Sequence, residues 1–143
     1  MKRQPMMKKL FLDFCNKNGL RVEDLGDGYL EAYIPNHYFT DNPEDVTAFI
    51  GYSDNNQCIW FETCVNCFYD ALYDKVSIEF DTCNGRNIFN AKDFKLVEVT
   101  YKNIIAKLEF FNVLIKEMKI NERKKSLEQD FQKETQGRKQ RKS

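Results

Sequence analysis

The N-terminal segment constrains the fold more than any other part of the sequence, because its apolar residues require a second layer to cover them. They recur at the three- and four-residue spacing of a single helix face: Met7, Leu10, Phe11, Phe14 and Cys15. Pro5 favours a helix start, and Asn18-Gly19 favours a left-handed helix end. We therefore predict a helix over residues 6–17 that packs on another layer of the protein.

Extended segments follow this helix. Residues 20–34 contain a turn signal at 25–28 and end before Pro35, which cannot continue a strand ladder. Residues 46–52 and 58–65 are β-branched and aromatic, and the Asn-containing stretch between them is typical of a hairpin turn. The turn-rich residues 36–45 predict a loop.

Residues 66–90 fit two structures. Val76, Ile78 and Phe80 alternate as in a strand. A longer set of apolar residues lies at helical spacing, and Gly85 would end such a helix: Tyr69, Leu72, Tyr73, Val76, Phe80 and Cys83. The length of this second pattern favours a helix, with a strand as the alternative.

The C-terminal part predicts two strands and a helix. Residues 94–101 and 104–111 are rich in β-forming side chains and are joined by Lys102-Asn103, as in a hairpin. Residues 112–132 have an apolar stripe, and Asn112 suits a helix N-cap. Residues 133–143 contain no apolar side chain and predict a disordered basic tail.

These segments together predict an α+β fold in a single domain at residues 1–132. It consists of an N-terminal helix, an antiparallel sheet of about five strands, and a middle helix and a C-terminal helix packed on the sheet. We expect one core that contains Phe11, Phe14, Trp60, Phe61, Leu96, Val99 and Leu108. Trp60 and Phe61 are adjacent and would point to opposite faces of a regular strand.

This order of elements resembles the YbjN family, whose fold is similar to that of the type III secretion chaperones. The similarity rests on the helix ending at residues 18–20, the turn at residues 26–28, and Asn84 and Asn87 ahead of a two-strand hairpin. The resemblance implies a non-enzymatic, chaperone-like protein that pairs as a dimer and binds extended segments of other proteins. It implies no individual functional residue, because the binding sites of such folds are surfaces.

Charge is segregated along the chain although the formal net charge is zero. Residues 1–19 carry a net charge of +4, residues 20–81 of −11, and residues 82–143 of +7. The acidic block should repel phosphate backbones. It predicts either a solvated surface or a docking surface for a basic partner protein, with Asp41, Glu44 and Asp45 at its densest point and Trp60 as an aromatic anchor.

The basic tail supports an alternative partner. Arg138, Lys139, Arg141 and Lys142 can contact phosphates, so weak, salt-sensitive binding of nucleic acid is the second hypothesis. No aromatic residue is interleaved with these charges, so base stacking has no support. The sequence has neither an apolar run long enough to span a bilayer nor a signal-peptide pattern, and we expect a cytoplasmic protein.

The five cysteines predict reduced thiols, since their number is odd and no export signal is present. Cys64 and Cys67 form a Cys-x-x-Cys pair, which can serve redox exchange or bind zinc. Structural zinc would require Cys58, Cys64, Cys67 and Cys83 together. We expect no cofactor, with this zinc site as the alternative.

Catalytic motifs are scarce. His37 is the only histidine and lies in the predicted loop, where Asp41 or Glu44 would have to orient it as a base. No serine lies in a nucleophile elbow, and the dispersed glycines form no phosphate-binding loop. We therefore expect a non-enzymatic protein-interaction domain that acts as a chaperone, inhibitor or adaptor.

Overall fold

The computed structural model describes residues 6–35 and 48–141, with side chains up to residue 132. The chain has an α+β fold, as predicted. The described helices are α1 (Met6–Lys17) and α2 (Phe94–Arg141). The described strands are β1 (Arg21–Gly26), β2 (Tyr29–Tyr33), β3 (Ile50–Ser53), β4 (Cys58–Phe61), β5 (Val65–Asp70), β6 (Lys75–Phe80) and β7 (Arg86–Ile88). Two short 3-10 turns occupy Thr82–Asn84 and Ala91–Asp93.

The predicted helix end at Asn18-Gly19 is confirmed. Gly19 has a φ of +66°, a conformation that glycine adopts without strain. The Leu20 amide donates to the Cys15 carbonyl at 2.8 Å, and the Gly19 amide donates to the Asn16 carbonyl at 3.3 Å. These two bonds form a Schellman motif, and both Leu20 and Cys15 are buried beside it.

Five strands form an antiparallel sheet in the order β1-β2-β3-β4-β7. The predicted turns at residues 25–28 and 53–56 are confirmed as the β1–β2 and β3–β4 connections. The register places Ala32, Ile50 and Phe61 on one face, called the inner face, and Glu31, Gly51 and Trp60 on the other, called the outer face. Trp60 and Phe61 therefore do point to opposite sides, as the sequence predicted.

Helix α1 packs on the inner face, where the ring of Phe11 lies 6.1 Å from that of Tyr52. The predicted core members Phe11, Phe14, Phe61 and Leu108 are buried. Leu96 and Val99 are 44% and 48% exposed, so their prediction as core residues is wrong. Trp60 is partly exposed on the outer face and lies outside this core.

The predicted middle helix within residues 66–90 is wrong. Strands β5 and β6 form a separate antiparallel hairpin there, followed by a 3-10 turn and β7. Val76, Ile78 and Phe80 alternate into the interior, whereas Leu72 and Tyr73 lie exposed in the connecting turn. The apparent helical spacing arose because Leu72 and Tyr73, which lie in the turn, were counted together with the buried residues of β6.

The predicted strands at residues 94–101 and 104–111 are also wrong, because both lie in α2. Phe94, Val97, Ile104 and Leu108 are buried at helical intervals. The predicted C-terminal helix is confirmed, but it begins at Phe94 and its backbone continues to Arg141, past the expected end at residue 132. The side chains of residues 133–143 lie outside the described part, so the basic tail stays a prediction.

The chain divides into two compact units, residues 1–109 and 110–143. The first contains α1, the five-stranded sheet, the β5–β6 hairpin and the first part of α2. The second contains the remainder of α2, from Phe110 onward. The predicted single domain at residues 1–132 stays a prediction.

Candidate binding site

A groove of about 880 Å³ lies between α1 and the first part of α2, and we call it the helix groove. Leu10, Asp13, Phe14 and Lys17 line it from α1, at the spacing of one helix face. From α2, Val99, Ile105 and Ala106 contribute apolar surface. They share a helix face with Lys95, Lys102 and Glu109, which also line the groove. The groove is thus bounded by two helix faces, and its volume lies within the range of about 300–1,000 Å³ that is usual for ligand sites.

Aromatic packing lines the floor of the helix groove. The ring of Phe14 lies edge-on to the rings of Phe94 and Tyr101, with centroid distances of 5.7 and 5.3 Å. Phe14 and Phe94 are buried. This cluster joins the C-terminal end of α1 to the first turns of α2 and gives the groove an apolar floor.

Charged residues form the rim of the helix groove, and both signs are equally represented: Asp13, Lys17, Lys95, Glu98, Lys102 and Glu109. Between these charges Val99 remains 48% exposed. A ligand that suits this site needs apolar side chains for the floor and charges of both signs at its margins. The side chains of an amphipathic peptide have this chemistry.

The outer face of the sheet carries Trp60, the predicted aromatic anchor. Gly51 lies directly opposite Trp60 on the neighbouring strand, and a Cβ at position 51 would fall 2.2 Å from the indole Nε1. The indole therefore needs a glycine beneath it. Its Nε1 donates a hydrogen bond to the Tyr29 hydroxyl at 2.7 Å, which fixes the ring on the sheet. Trp60 does not line the helix groove, because α1 lies on the inner face.

A buried carboxyl group lies at the end of β4. Glu62 is 6% exposed, and no described group makes a hydrogen bond to its Oε2. Burial raises the pKa of Glu62 above its ordinary value, and the nearby Asp81 carboxylate raises it further. The sequence offered no signal for this residue, because a glutamate after an aromatic strand is ordinarily solvent-exposed.

The four cysteines of the predicted zinc alternative lie in different elements. Cys58 is buried on β4, Cys67 is half-buried on β5, and Cys64 and Cys83 are exposed. Burial raises the pKa of the Cys58 thiol, and that of Cys67 as well. Among the side chains that the structure describes, in residues 6–35 and 48–132, no three histidine, cysteine or acidic groups are placed so as to hold one metal ion. The zinc alternative stays a prediction.

The other predicted site residues lie outside what the structure describes. Asp41, Glu44 and Asp45 fall in residues 36–47, as does His37. The backbones of Arg138, Lys139 and Arg141 belong to α2, but their side chains are not described, and Lys142 follows the last described residue. The acidic docking surface and the phosphate-binding tail stay predictions.

The helix groove was missed by sequence reasoning for a specific reason. On the groove face of α1, Leu10 and Phe14 belong to the helix face that the sequence predicted. The opposite wall was missed, because residues 94–109 were predicted as strands. The apolar residues Phe94, Val97, Ile104 and Leu108, which are all buried, recur at helical spacing. That spacing is the sequence signal that could have indicated a helix there.

Comparisons with protein-family models, with curated proteins and with solved structures gave no match for this chain. The resemblance to the YbjN family stays a prediction, and the order of elements on which it was based differs from the order in the structure. Among the described residues, no helix is both long enough and apolar enough to cross a membrane.

Proposed function

We propose that this chain is a non-catalytic protein-interaction domain that binds an amphipathic helix of a partner protein in the helix groove. A cytoplasmic location is part of this proposal. The observation that carries it is the pair of helix faces that bound the groove. Two neighbouring helices with an apolar floor and a charged rim are suited to receive a third helix by side-chain interdigitation.

The dimensions of the groove support a helix as the ligand. The lining residues of α2 extend from Phe94 to Glu109, which corresponds to about 24 Å at 1.5 Å per residue. A partner helix of about four turns would match this length. Its apolar stripe would contact Val99 and Ile105, and its flanking charges would meet the mixed rim.

The test uses a displayed library of amphipathic helices, selected for binding to the full chain. We expect Val99→Asp to weaken the binding of the selected helices by at least about tenfold, because the substitution places a charge on the apolar wall of the groove. Leu72→Asp is the matched control, since Leu72 is an exposed leucine in the β5–β6 turn and does not line the groove. Selected helices that bind both variants equally would contradict the proposal.

The nucleic-acid alternative can be tested separately. It rests on the sequence of residues 133–143, and its measurement is retention on heparin at physiological salt, with and without those residues. Retention that disappears with the tail would favour the alternative. We expect no retention of either form, because the net charge is zero and the central block is acidic.

A further inference from the structure

Strand β1 forms an exposed edge of the main sheet. It lies at one end of the strand order, and in the part of the chain that the structure describes no strand pairs with its other side. Val22 is 38% exposed, and the side chains of Arg21 and Glu23 are 56% and 40% exposed. Regular pairing with β2 ends at the bulge between Asp24 and Gly26. A short exposed edge of this kind is a template for another strand.

The backbone groups of Val22 and Asp24 point away from the sheet. The Asp54 amide donates to the Gly28 carbonyl at 2.9 Å, so the even-numbered residues of β2 direct their backbone groups toward β3. The odd-numbered residues of β2 therefore direct theirs toward β1, where they pair with odd-numbered residues such as Glu23. Because this direction alternates along a strand, a further strand would meet the amides and carbonyls of Val22 and Asp24.

The charged side chains of β1 select one alignment for a second copy. Arg21 and Glu23 both lie on the outer face, and the Arg21 guanidinium donates to the Glu23 carboxylate. An antiparallel pair of identical strands centred on Val22 sets Arg21 of each copy opposite Glu23 of the other. Pairs centred on Arg21, Glu23 or Asp24 would instead set like charges opposite each other. Charge complementarity therefore favours the alignment on Val22.

We infer that two copies of this chain pair antiparallel along β1, with Val22 at the centre, so that their five-stranded sheets become one continuous sheet. In this alignment the Val22 amide of each copy donates to the Val22 carbonyl of the other. The Asp24 amide of each copy meets the Leu20 carbonyl of the other and extends the ladder. The arrangement is twofold and therefore closes at two copies. It does not depend on the proposed function of the helix groove.

The small extent of the shared edge sets the strength that we expect. Only the residues from Leu20 to Asp24 take part from each copy, and exposed ion pairs such as those between Arg21 and Glu23 contribute little each. Interfaces below the usual size of specific complexes associate weakly and reversibly. We therefore expect a dissociation constant on the order of 0.1 mM.

Sedimentation equilibrium of the full chain tests the pairing through Val22→Pro. Proline removes an amide that points away from β2, so the sheet of each copy keeps its ladder, whereas the dimer loses both central hydrogen bonds. We expect wild type to show a monomer–dimer equilibrium and Val22→Pro to weaken it by at least about tenfold. Val22→Thr is the matched control, because it keeps the amide and a β-branched side chain and should change the dissociation constant by less than about threefold. Wild type that is monomeric at about 1 mM, or that assembles beyond a dimer, would overturn the inference.

Charge reversal tests the alignment independently. Arg21→Glu and Glu23→Arg should each weaken the dimer by about fivefold, because each sets like charges opposite one another twice. The double reversal should restore association to that of wild type, since the pairs regain opposite charges. Glu79→Arg is the matched control for the change in net charge, because Glu79 is exposed on β6, in the other sheet. Single reversals that leave the dissociation constant unchanged would contradict this alignment.

Amide hydrogen exchange, measured by NMR at low and high protein concentration, locates the contact without a substitution. The Val22 and Asp24 amides should exchange rapidly in dilute solution and slow several-fold as the dimer forms. The Glu23 amide is the internal control, because it points toward β2 and should be protected at both concentrations. Equal exchange of the Val22 amide at the two concentrations, in samples that sedimentation shows to differ in dimer content, would show that the copies meet elsewhere and would refute the pairing along β1.

Discussion

At the scale of single residues, Glu62 makes the free energy of unfolding depend on pH. Its carboxyl group is buried, and no described group makes a hydrogen bond to Oε2. Burial and the nearby Asp81 both favour the protonated form and raise the pKa of Glu62. The folded protein therefore holds this proton more tightly than the unfolded chain does.

The sign of the stability change follows from this difference in proton binding. Below the ordinary pKa of 4.5 both states are protonated, and the residue contributes no pH dependence. As the pH rises above that value, the unfolded chain loses the proton first, so the free energy of unfolding falls. Glu62→Gln removes the titration, and we expect it to stabilise the protein at pH 7 by about 1 kcal/mol.

Urea denaturation at pH 4 and pH 7 measures this effect. The exposed Glu79 provides the control, because Glu79→Gln should alter stability little at either pH. Glu62→Gln should raise the free energy of unfolding at pH 7 and leave it nearly unchanged at pH 4. A Glu62→Gln variant that is less stable than wild type at pH 7 would contradict the assigned cost of burying this carboxyl group.

At the scale of elements, Gly51 on β3 leaves room for the indole of Trp60 on β4. We expect Gly51→Ala to cost about 1–3 kcal/mol, because the added methyl group must displace the indole from its hydrogen bond with Tyr29. The cost should nearly vanish in a Trp60→Ala background, where the ring is absent. Chemical denaturation of the two single variants and the double variant measures this coupling. If the free-energy changes of the two single variants add up in the double variant, the glycine has no steric role.

The elements predicted correctly are those whose signals are local. Helix α1 combined an apolar face with a glycine end, and the hairpin connections combined turn residues with flanking strands. Residues 66–90 and 94–111 also carried local signals, Gly85 and Lys102-Asn103, but these signals were misleading. The apolar residues of both segments fit helical spacing as well as strand alternation, so periodicity did not decide between the two structures. Phe94, Val97 and Leu108 are helical because that spacing buries them together, which is a property of the tertiary structure.

The candidate site was less predictable than the fold. Trp60 was correctly expected on a separate face from Phe61, but Gly51 and Tyr29, which hold its ring, are distant in sequence. The helix groove requires α1 to meet a helix about eighty residues later in the chain. Such a site depends on long-range packing, and sequence periodicity determines only which face of each element is apolar.

At the scale of the whole molecule, Phe49 connects the parts of the first unit. It is fully buried, and its ring lies 6.5 Å from Phe14 on α1, 6.1 Å from Phe80 on β6 and 5.4 Å from Tyr101 on α2. Its amide donates to the Ala32 carbonyl at 2.9 Å. One side chain thus contacts both helices and the second hairpin, at the start of β3, the central strand of the main sheet.

We expect Phe49→Ala to lower the free energy of unfolding by about 3–5 kcal/mol, through lost burial and an unfilled cavity. This is a large part of the total of about 5–15 kcal/mol that is usual for a folded domain. Phe49→Leu should lose less and provides a measurable variant if the alanine protein does not fold. Phe68→Ala is the control, since Phe68 is 53% exposed on β5.

Urea unfolding followed by circular dichroism and by Trp60 fluorescence should give coincident transitions for wild type and Phe49→Leu, because Phe49 joins the helices to the strands. Equal, small losses for Phe49→Leu and Phe68→Ala would show that these elements are stabilised independently of Phe49.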